Sequence, residues 1–346
     1  MQVELGQRGR ASLEFQVDFS RSSGMLEPKI QADIAAAGIA EDTLAEDLGE
    51  RLAQMDAALA TSEAFHMRDL ITEWASVSHG LVAIDAFEEI RPAVEPQMQA
   101  LADGPSTIEV LRHFQAPDYL EGVWIHRTHG GWDGHEHQGF VHAEMIHKRY
   151  LTSMFKGGIF NVRRDVLDHL PRNDYRRIFE MGVSSGFHTL GLAEAFPNAQ
   201  ISGCDISRPM LEQAMRAGNE RQQSWRLYIG RAEDTRLPAG SFDLVSSFIL
   251  LHELPADSIR KVFAEAFRLI EPGGAMIMTD VPPYAAQDKM TTWRFDRGAM
   301  RGGEPFWREA GLTDTVAVAK DVGFDKVRAF KHPGAGNYWV TIAEKT

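Results

Sequence analysis

The chain has 346 residues, enough for two domains or for one large domain with an appended element. Hydrophobic residues at 44% and charged residues at 25% exclude a disordered chain, a collagen and a disulfide-framework miniprotein. A formal charge of −13 argues against a general nucleic-acid binder, which needs cationic surface to displace phosphate counterions.

The N-terminus, MQVELGQRGR, has no apolar core of signal-peptide length. No run approaches the roughly 18 apolar residues of a membrane span. Cys204 is the only cysteine, so an intrachain disulfide and a four-cysteine zinc site are excluded. A cytoplasmic protein without membrane contact is the expectation.

Residues 13–19, LEFQVDF, alternate apolar and polar and predict a short strand. From about 28 to 115 the pattern is helical. Leu44, Leu48, Leu52, Met55 and Leu59 share one face of a helix over 41–60, which carries six acids against one arginine and predicts a solvated outer face. A second long helix over 67–90 carries Leu70, Ile71, Trp74, Val77, Leu81 and Ile84, with Pro92 and Pro96 ending it. These helices are too apolar on one face to stand alone. Leu48, Leu52, Trp74 and Leu81 should be buried on the rest of the chain or on a second subunit. Ser106-Thr107-Ile108-Glu109 predicts a short helix start.

Residues 119–139 read as a Gly-, His- and Trp-rich connector, followed by a helix over 140–156 that ends at Gly157-Gly158. Six of the thirteen histidines fall in 126–147: His126, His129, His135, His137, His142 and His147. Imidazole is a common metal ligand, but no HExxH occurs. His142 and His147 stand five apart, a poor spacing for one α-helical face, so no metal is expected. A polar lid and a surface connector remain the two readings of this stretch.

From 176 onward strand and helix alternate: RRIFEMGV, FHTLGLAEAF, AQISGCDI, RPMLEQAMRAGNE, WRLYIGRA, SFDLVSSFILL, DSIRKVFAEAFRLI, GGAMIMTDV. Such alternation predicts crossover units, a parallel sheet covered by helices, and a ligand at the carboxyl ends of its strands. The fold class is therefore α/β, a doubly wound, mostly parallel sheet with an appended N-terminal helical region. Three divisions are expected: a mainly helical 1–117, a connector and lid helix 118–175, and a ligand-binding 176–346.

The loop Glu180-Met181-Gly182-Val183-Ser184-Ser185-Gly186 does not match the dinucleotide spacing GxGxxG. Asp205 ends the next strand, where a carboxylate can accept from two ribose hydroxyls or cap the following helix. Further on come Gly230-Arg231-Ala232-Glu233-Asp234, Leu237-Pro238, Ser241-Phe242-Asp243-Leu244-Val245, His252-Glu253-Leu254-Pro255 and Glu271-Pro272-Gly273-Gly274. This ordered series resembles the class I S-adenosylmethionine-dependent methyltransferases, over about 175–346.

The resemblance implies a Rossmann-like fold, S-adenosylmethionine as cofactor, S-adenosylhomocysteine as product and a small-molecule substrate. It implies roles for Gly182, Ser184 and Gly186 in the cofactor loop, and for Glu180 near the cofactor's amino-acid part. It places Asp205 and Ile206 at the ribose, Arg231, Ala232 and Glu233 at adenine, and Phe248 on the pocket wall. Ser184 and Ser185 depart from the usual second glycine region, and Arg231 stands where many relatives carry Asp. Val281-Pro282-Pro283-Tyr284 resembles the element of DNA and protein N-methyltransferases, but lacks its leading Asp or Asn and follows the wrong strand.

His252, just after the fourth strand of this series, is the leading base. FILLHELP resembles the segment of small-molecule O-methyltransferases in which a histidine deprotonates a substrate hydroxyl. An unperturbed pKa near 6.5 would suit that work. His147 and Tyr150 are further catalytic candidates. His142, Glu144, Trp293 and Trp307 are substrate-binding candidates, with Phe140, Met145, Tyr150 and Met154 as an apolar wall. The insertion 284–312, with Arg294, Arg297 and Arg301, fits an aromatic or anionic substrate or a structural plug. The expected protein is a small-molecule methyltransferase, O-methylation favoured over C or N, whose first-half helices shape the pocket and a homodimer interface. A domain that binds the cofactor without methylating is the alternative.

Overall fold

The computed structural model describes residues 3–152, 159–334 and 336–346. Met154 and the Gly157-Gly158 helix stop lie outside the described residues.

One eight-stranded sheet organises the molecule, in the order β1-β4-β3-β2-β5-β6-β8-β7. The strands are β1 (Thr107–Val110), β2 (Arg177–Met181), β3 (Gln200–Asp205), β4 (Arg226–Ile229), β5 (Phe242–Phe248), β6 (Ile270–Asp280), β7 (Lys326–Lys331) and β8 (Trp339–Glu344). β1 through β6 pair in parallel, while β8 runs antiparallel to both β6 and β7. The chain winds from β2 outward through β3 and β4, then returns to the other side of β2 with β5. The switch point therefore lies between β2 and β5, which opens a crevice at their carboxyl ends.

Both faces of the sheet are covered, so its strands are nearly continuous apolar runs. Ile178, Leu244, Ala275 and Ile277 point into one buried cluster. Phe179, Val245, Met276 and Met278 point into the other. Cys204, on β3, is buried with the second set.

The N-terminal half is helical: α1 (Gln7–Ser22), α2 (Glu27–Ala36), α3 (Leu48–Ala58) and α4 (Glu63–Ala100). Four expectations fail here. Residues 13–19 are helix, because Leu13, Gln16, Val17 and Ser20 form the buried face at 3–4 spacing, while Phe15 and Phe19 share another face. Residues 107–110 are strand, because the β-branched Thr107, Ile108 and Val110 suit the sheet edge beside β4, and the Ser106 hydroxyl donates to the Gln223 carbonyl rather than capping a helix. The acidic helix begins only at Leu48, where Asp47 accepts the Glu50 N–H at 2.9 Å. Pro92 and Pro96 do not end α4, since both lie on its exposed side, where the carbonyls they release meet water.

The acids of the N-terminal half also do more than face solvent. Asp56 and Asp69 pair with Arg297, and Glu73 with Arg301, which fastens the 284–312 insertion to α3 and α4. Of the four residues expected to be buried, Leu48 and Leu52 are partly buried, but Trp74 and Leu81 are exposed. The helix buries Phe65, Ile71, Ala75, Ala83, Phe87, Ile90, Val94 and Met98 instead. The edge strand β1 comes from the stretch expected to be mainly helical, so the sheet reaches back across the 117/118 and 175/176 divisions.

Candidate active site

A cavity of about 680 Å³ opens at the switch point, within the size range of small-molecule sites. Sheet residues floor it, the connector 118–137 and the helix over 138–151 roof it, and α4 closes one side.

On the β2–β3 side, Gly182 has φ +75°, and a Cβ there would meet the Leu250 side chain. Ser184, also left-handed at φ +50°, donates its N–H to Asp205 Oδ2 at 2.8 Å. The Ser207 N–H donates to Asp205 Oδ1 at 2.9 Å. Burial nonetheless raises the Asp205 carboxyl to about 6, against the backbone N–H groups that lower it. Glu180 is fully enclosed. Thr189 donates to its Oε2 at 2.6 Å, its Oε1 has no partner, and burial raises its pKa to about 8.

Ala232 and Glu233 line the next part of the wall, and Tyr119 of the connector donates to Glu233 Oε1 at 2.8 Å. Phe248 closes the β5 side with the buried Arg163 guanidinium 4.6 Å from its ring centre. Ile206 and Ser184 are on the wall as well.

Three expected residues stand elsewhere. Arg231 turns back to Glu233 at 3.2 Å instead of lining the cavity. Gly186 packs against Ala214 and starts the helix Phe187–Ala195, so its role is close helix approach. Glu144 is buried outside the wall, with Lys148 2.6 Å away.

Past β5 lies a chain of ionisable groups. Asp280, at the end of β6, accepts the N–H groups of Leu250 and Leu251 at 2.8 and 2.7 Å and the His252 Nδ1–H at 2.7 Å. His252 Nε2 faces Glu253 Oε1 at 3.4 Å. The same Oε1 lies 3.1 Å from His126 Nε2, and His126 Nδ1 lies 2.7 Å from Glu304 Oε1. Carboxylate and imidazole thus alternate from Asp280 to Glu304. Burial alone would lower both histidines, but the carboxylates outweigh it. His252 is raised well above its ordinary value and His126 to about 10. Both are imidazolium at neutral pH, which corrects the expectation of an unperturbed His252. Glu253 is held far below the carboxylate range, chiefly by His126 against the cost of burial. Both His126 nitrogens face carboxylates, and one ligand atom each of His126, Glu253 and Glu304 lies within 4.8 Å of the other two.

The roof carries the opposite kind of histidine. Residues Val141–Leu151 form a π-helix, in which groups five apart stack, so the His142 and His147 ring centres are 4.1 Å apart. The spacing judged poor for an α-helix is the right one here. Burial lowers His142 to about 3 and His147 well below its ordinary value. Both line the cavity with Tyr150, which lies 3.0 Å from Ser20 Oγ. Phe140 and Met145 face α1 and α4 instead of forming the expected wall.

Trp307 lines the cavity with its ring centre 5.3 Å from that of His252. Trp293 does not. It is fully buried between the N-terminal helices and stacks on Phe65, so it anchors the insertion rather than binding substrate. Tyr284 points away too, donating to Asp296 at 2.8 Å.

Sequence reasoning missed Asp280, Glu304, Tyr119, Trp132, Arg163 and Tyr338. Only Asp280 carried a usable signal, a carboxylate closing the strand next to the one that leads to His252. The others come from segments without periodicity or motif.

Comparison with known proteins agrees with this geometry. Residues 178–274 match the family model of a methyltransferase domain. A malonyl-[acyl-carrier protein] O-methyltransferase of Legionella pneumophila subsp. pneumophila is 33% identical over 118 residues, 34% of this chain and 40% of the relative. A demethylmenaquinone methyltransferase of Thermus thermophilus is 30% identical over 121 residues, 35% of this chain and 54% of the relative. The chain thus spans about half the length of these curated relatives. A candidate O-methyltransferase of Nostoc punctiforme shares the fold over nearly the whole length, 98% of this chain and 94% of that one, at a TM-score of 0.52 and 16% identity. The motif series, the domain match and the sheet that carries them lead to one conclusion: residues 178–274 lie in a methyltransferase domain of the class I, S-adenosylmethionine-dependent kind.

Proposed function

We propose that the protein methylates a hydroxyl oxygen of a small, uncharged aromatic acceptor, with S-adenosylmethionine bound along the carboxyl ends of β2, β3 and β4. The chain's own residues fit that cofactor. The partnerless Glu180 Oε1 suits its ammonium, and Asp205 retains lone pairs for ribose hydroxyls. Ala232 and Glu233 suit the adenine edge. Bound there, the cofactor supplies an electrophilic methyl group on a sulfonium.

The His252–Asp280 pair carries the proposal for oxygen. Asp280 fixes the ring by accepting from Nδ1, which leaves Nε2, with only a 3.4 Å contact, to take a hydroxyl proton once His252 is neutral. Trp132, Phe295, Trp307 and Tyr338 supply flat apolar wall. His79, His142 and His147 add polar but uncharged edges. Tyr150 and His147 line the same cavity and would orient the acceptor. The protein acts on a small molecule rather than on nucleic acid or membrane. Among the described residues no helix is long and apolar enough to cross a membrane. A single buried thiol supports a cytoplasmic setting.

Two measurements test this reading. Calorimetry with S-adenosylhomocysteine should show one site per chain, and absence of binding refutes the enzyme reading. Incubating the protein with methyl-deuterated S-adenosylmethionine and a panel of phenols, matched anilines and matched phenol ethers should label the phenols at oxygen. Labelling of anilines alone, or of ring carbon, would move the reaction to nitrogen or carbon.

A further inference from the structure

The carboxylates and imidazoles beyond β5 come from segments far apart in the chain. His126 stands on the connector at φ +52°, with its N–H donating to the Gly303 carbonyl at 2.9 Å. Glu253 follows β5, and Glu304 follows the helix Lys289–Gly302 of the insertion. All three line the cavity, with side chains 29%, 12% and 16% exposed.

Two observations point to a cation as the ligand of this group. First, the charge does not close. With both His126 and His252 protonated, Asp280, Glu253 and Glu304 still leave one negative charge. Among the described residues no lysine or arginine pairs with any of the three. Second, Glu253 Oε2 and Glu304 Oε2 are buried and have no hydrogen-bond partner among the described residues. A buried carboxylate oxygen left unpaired is costly, and a metal ion satisfies it without a proton.

We propose that His126, Glu253 and Glu304 bind a divalent transition-metal ion of the Mn²⁺, Fe²⁺ or Zn²⁺ kind. One ligand atom from each lies within 4.8 Å of the other two. Ligands of one such ion stand at most about 4.4 Å apart, so side-chain shifts of roughly half an ångström close the set. An imidazole beside two carboxylates suits these ions better than Mg²⁺ or Ca²⁺, which take oxygen, or Cu⁺, which takes sulfur. The second His126 nitrogen keeps its proton for a carboxylate oxygen, the arrangement that orients metal-bound imidazoles. In the metal-free chain a proton on His126 stands between the glutamates instead. Three protein ligands leave coordination positions for water or for an oxygen of a molecule in the cavity. The site does not rest on the methyl-transfer reading, since none of its donors is assigned to the cofactor or to proton transfer.

Isothermal calorimetry tests it on the full chain, stripped with a chelator, dialysed free of it and titrated with Zn²⁺ without any S-adenosyl compound. One strong site per chain is expected. Glu304→Gln and His126→Gln should each weaken it roughly a hundredfold or more, since even a residue that only orients a ligand costs up to that much. His66→Gln, which removes an exposed histidine outside the cavity, should leave it unchanged. Far-UV circular dichroism identifies the folded variants. Mn²⁺ bound to the parent should couple to one imidazole nitrogen in pulsed electron paramagnetic resonance, a measurement that needs no variant. A parent that binds no Zn²⁺ overturns the proposal. So do parental affinity in a folded Glu304→Gln or His126→Gln chain, an equal loss in His66→Gln, and bound Mn²⁺ without imidazole coupling.

Discussion

His142 and His147 stack with ring centres 4.1 Å apart because the helix beneath them is wound as π rather than α. Two imidazoles that close, walled from water, are neutral together. Burial and the nearby Arg163 charge make His188 neutral too, against the Arg163 carbonyl that accepts its Nδ1–H at 3.0 Å, with its Nε2 2.7 Å from Ser246 Oγ. The ion chain beyond β5 holds His126 and His252 charged. One site thus keeps two populations of histidine in opposite protonation states.

The two populations set the pH range of stability. Burial holds His142 and His188 near 3, so below about 6.5 the unfolded chain binds protons the native chain refuses, and stability falls as pH drops. His126 works the other way. Its contribution is complete below about 6.5 and is lost as pH rises through about 10. Urea midpoints between pH 4 and pH 10 should therefore peak near neutrality. His142→Gln should flatten the acid limb, and His126→Gln the alkaline one.

Asp205→Ala should weaken S-adenosylhomocysteine binding by about 1.5–3 kcal/mol, the scale of a charged hydrogen bond. It also frees the Ser184 and Ser207 N–H groups that the carboxylate now accepts. Calorimetry on a variant with parental circular dichroism checks it. Unchanged affinity would remove Asp205 from the site.

Glu180 presents a conflict between stability and binding. Its raised pKa near 8 means the native state holds a proton that the unfolded chain gives up above about 4.5, so stability drains away as pH rises through 8. Glu180→Gln should stabilise the ligand-free protein at pH 9 by about 1–3 kcal/mol, the cost of a poorly solvated polar group. The same change should weaken the cofactor, because the ammonium loses its carboxylate. Thermal melts with and without S-adenosylhomocysteine separate the two effects.

Because His252 is held protonated at neutral pH, transfer to a hydroxyl should accelerate as pH rises above neutrality rather than level off near 6.5. Asp280→Asn should lower the histidine pKa and shift that profile to lower pH, with a rate loss of about 10²–10⁴ typical of damaged general-base catalysis. A profile that does not move would leave Asp280 with a purely structural task, the Leu250 and Leu251 N–H groups.

Much of the sheet was legible because its strands are short apolar runs separated by helices of clear period. Arg177–Met181, Gln200–Asp205 and Phe242–Phe248 fall where the alternation puts them. The terminal antiparallel pair β7 and β8 escaped, although Lys326–Ala329 alternates polar and apolar residues in step with its burial, as an edge strand does. In α4 the wrong face was taken as buried. Leu70, Trp74, Val77 and Leu81 are larger than the alanines at 75, 83 and 86, and size outweighed the small residues that close packing against α1 requires. Around the cavity, loop-borne motif residues such as Gly182 and Asp205 were readable because backbone geometry constrains them. Residues supplied by the roof were not, because the π-winding that aligns His142 with His147 leaves no periodic trace in the letters.

Cys204 has a use that follows from its position. It is the chain's only thiol, it lies at zero exposure on a central strand, and burial raises its pKa far above the ordinary value. Cys204 lines the cavity but is fully enclosed, so a thiol reagent reaches it only when the structure opens around β3, and in the unmodified protein the labelling rate is a clock for that opening. With Asp205 as its chain neighbour, that clock should slow when a ligand occupies the crevice, which lets ligands be screened by protection of a single sulfur without any assay of turnover.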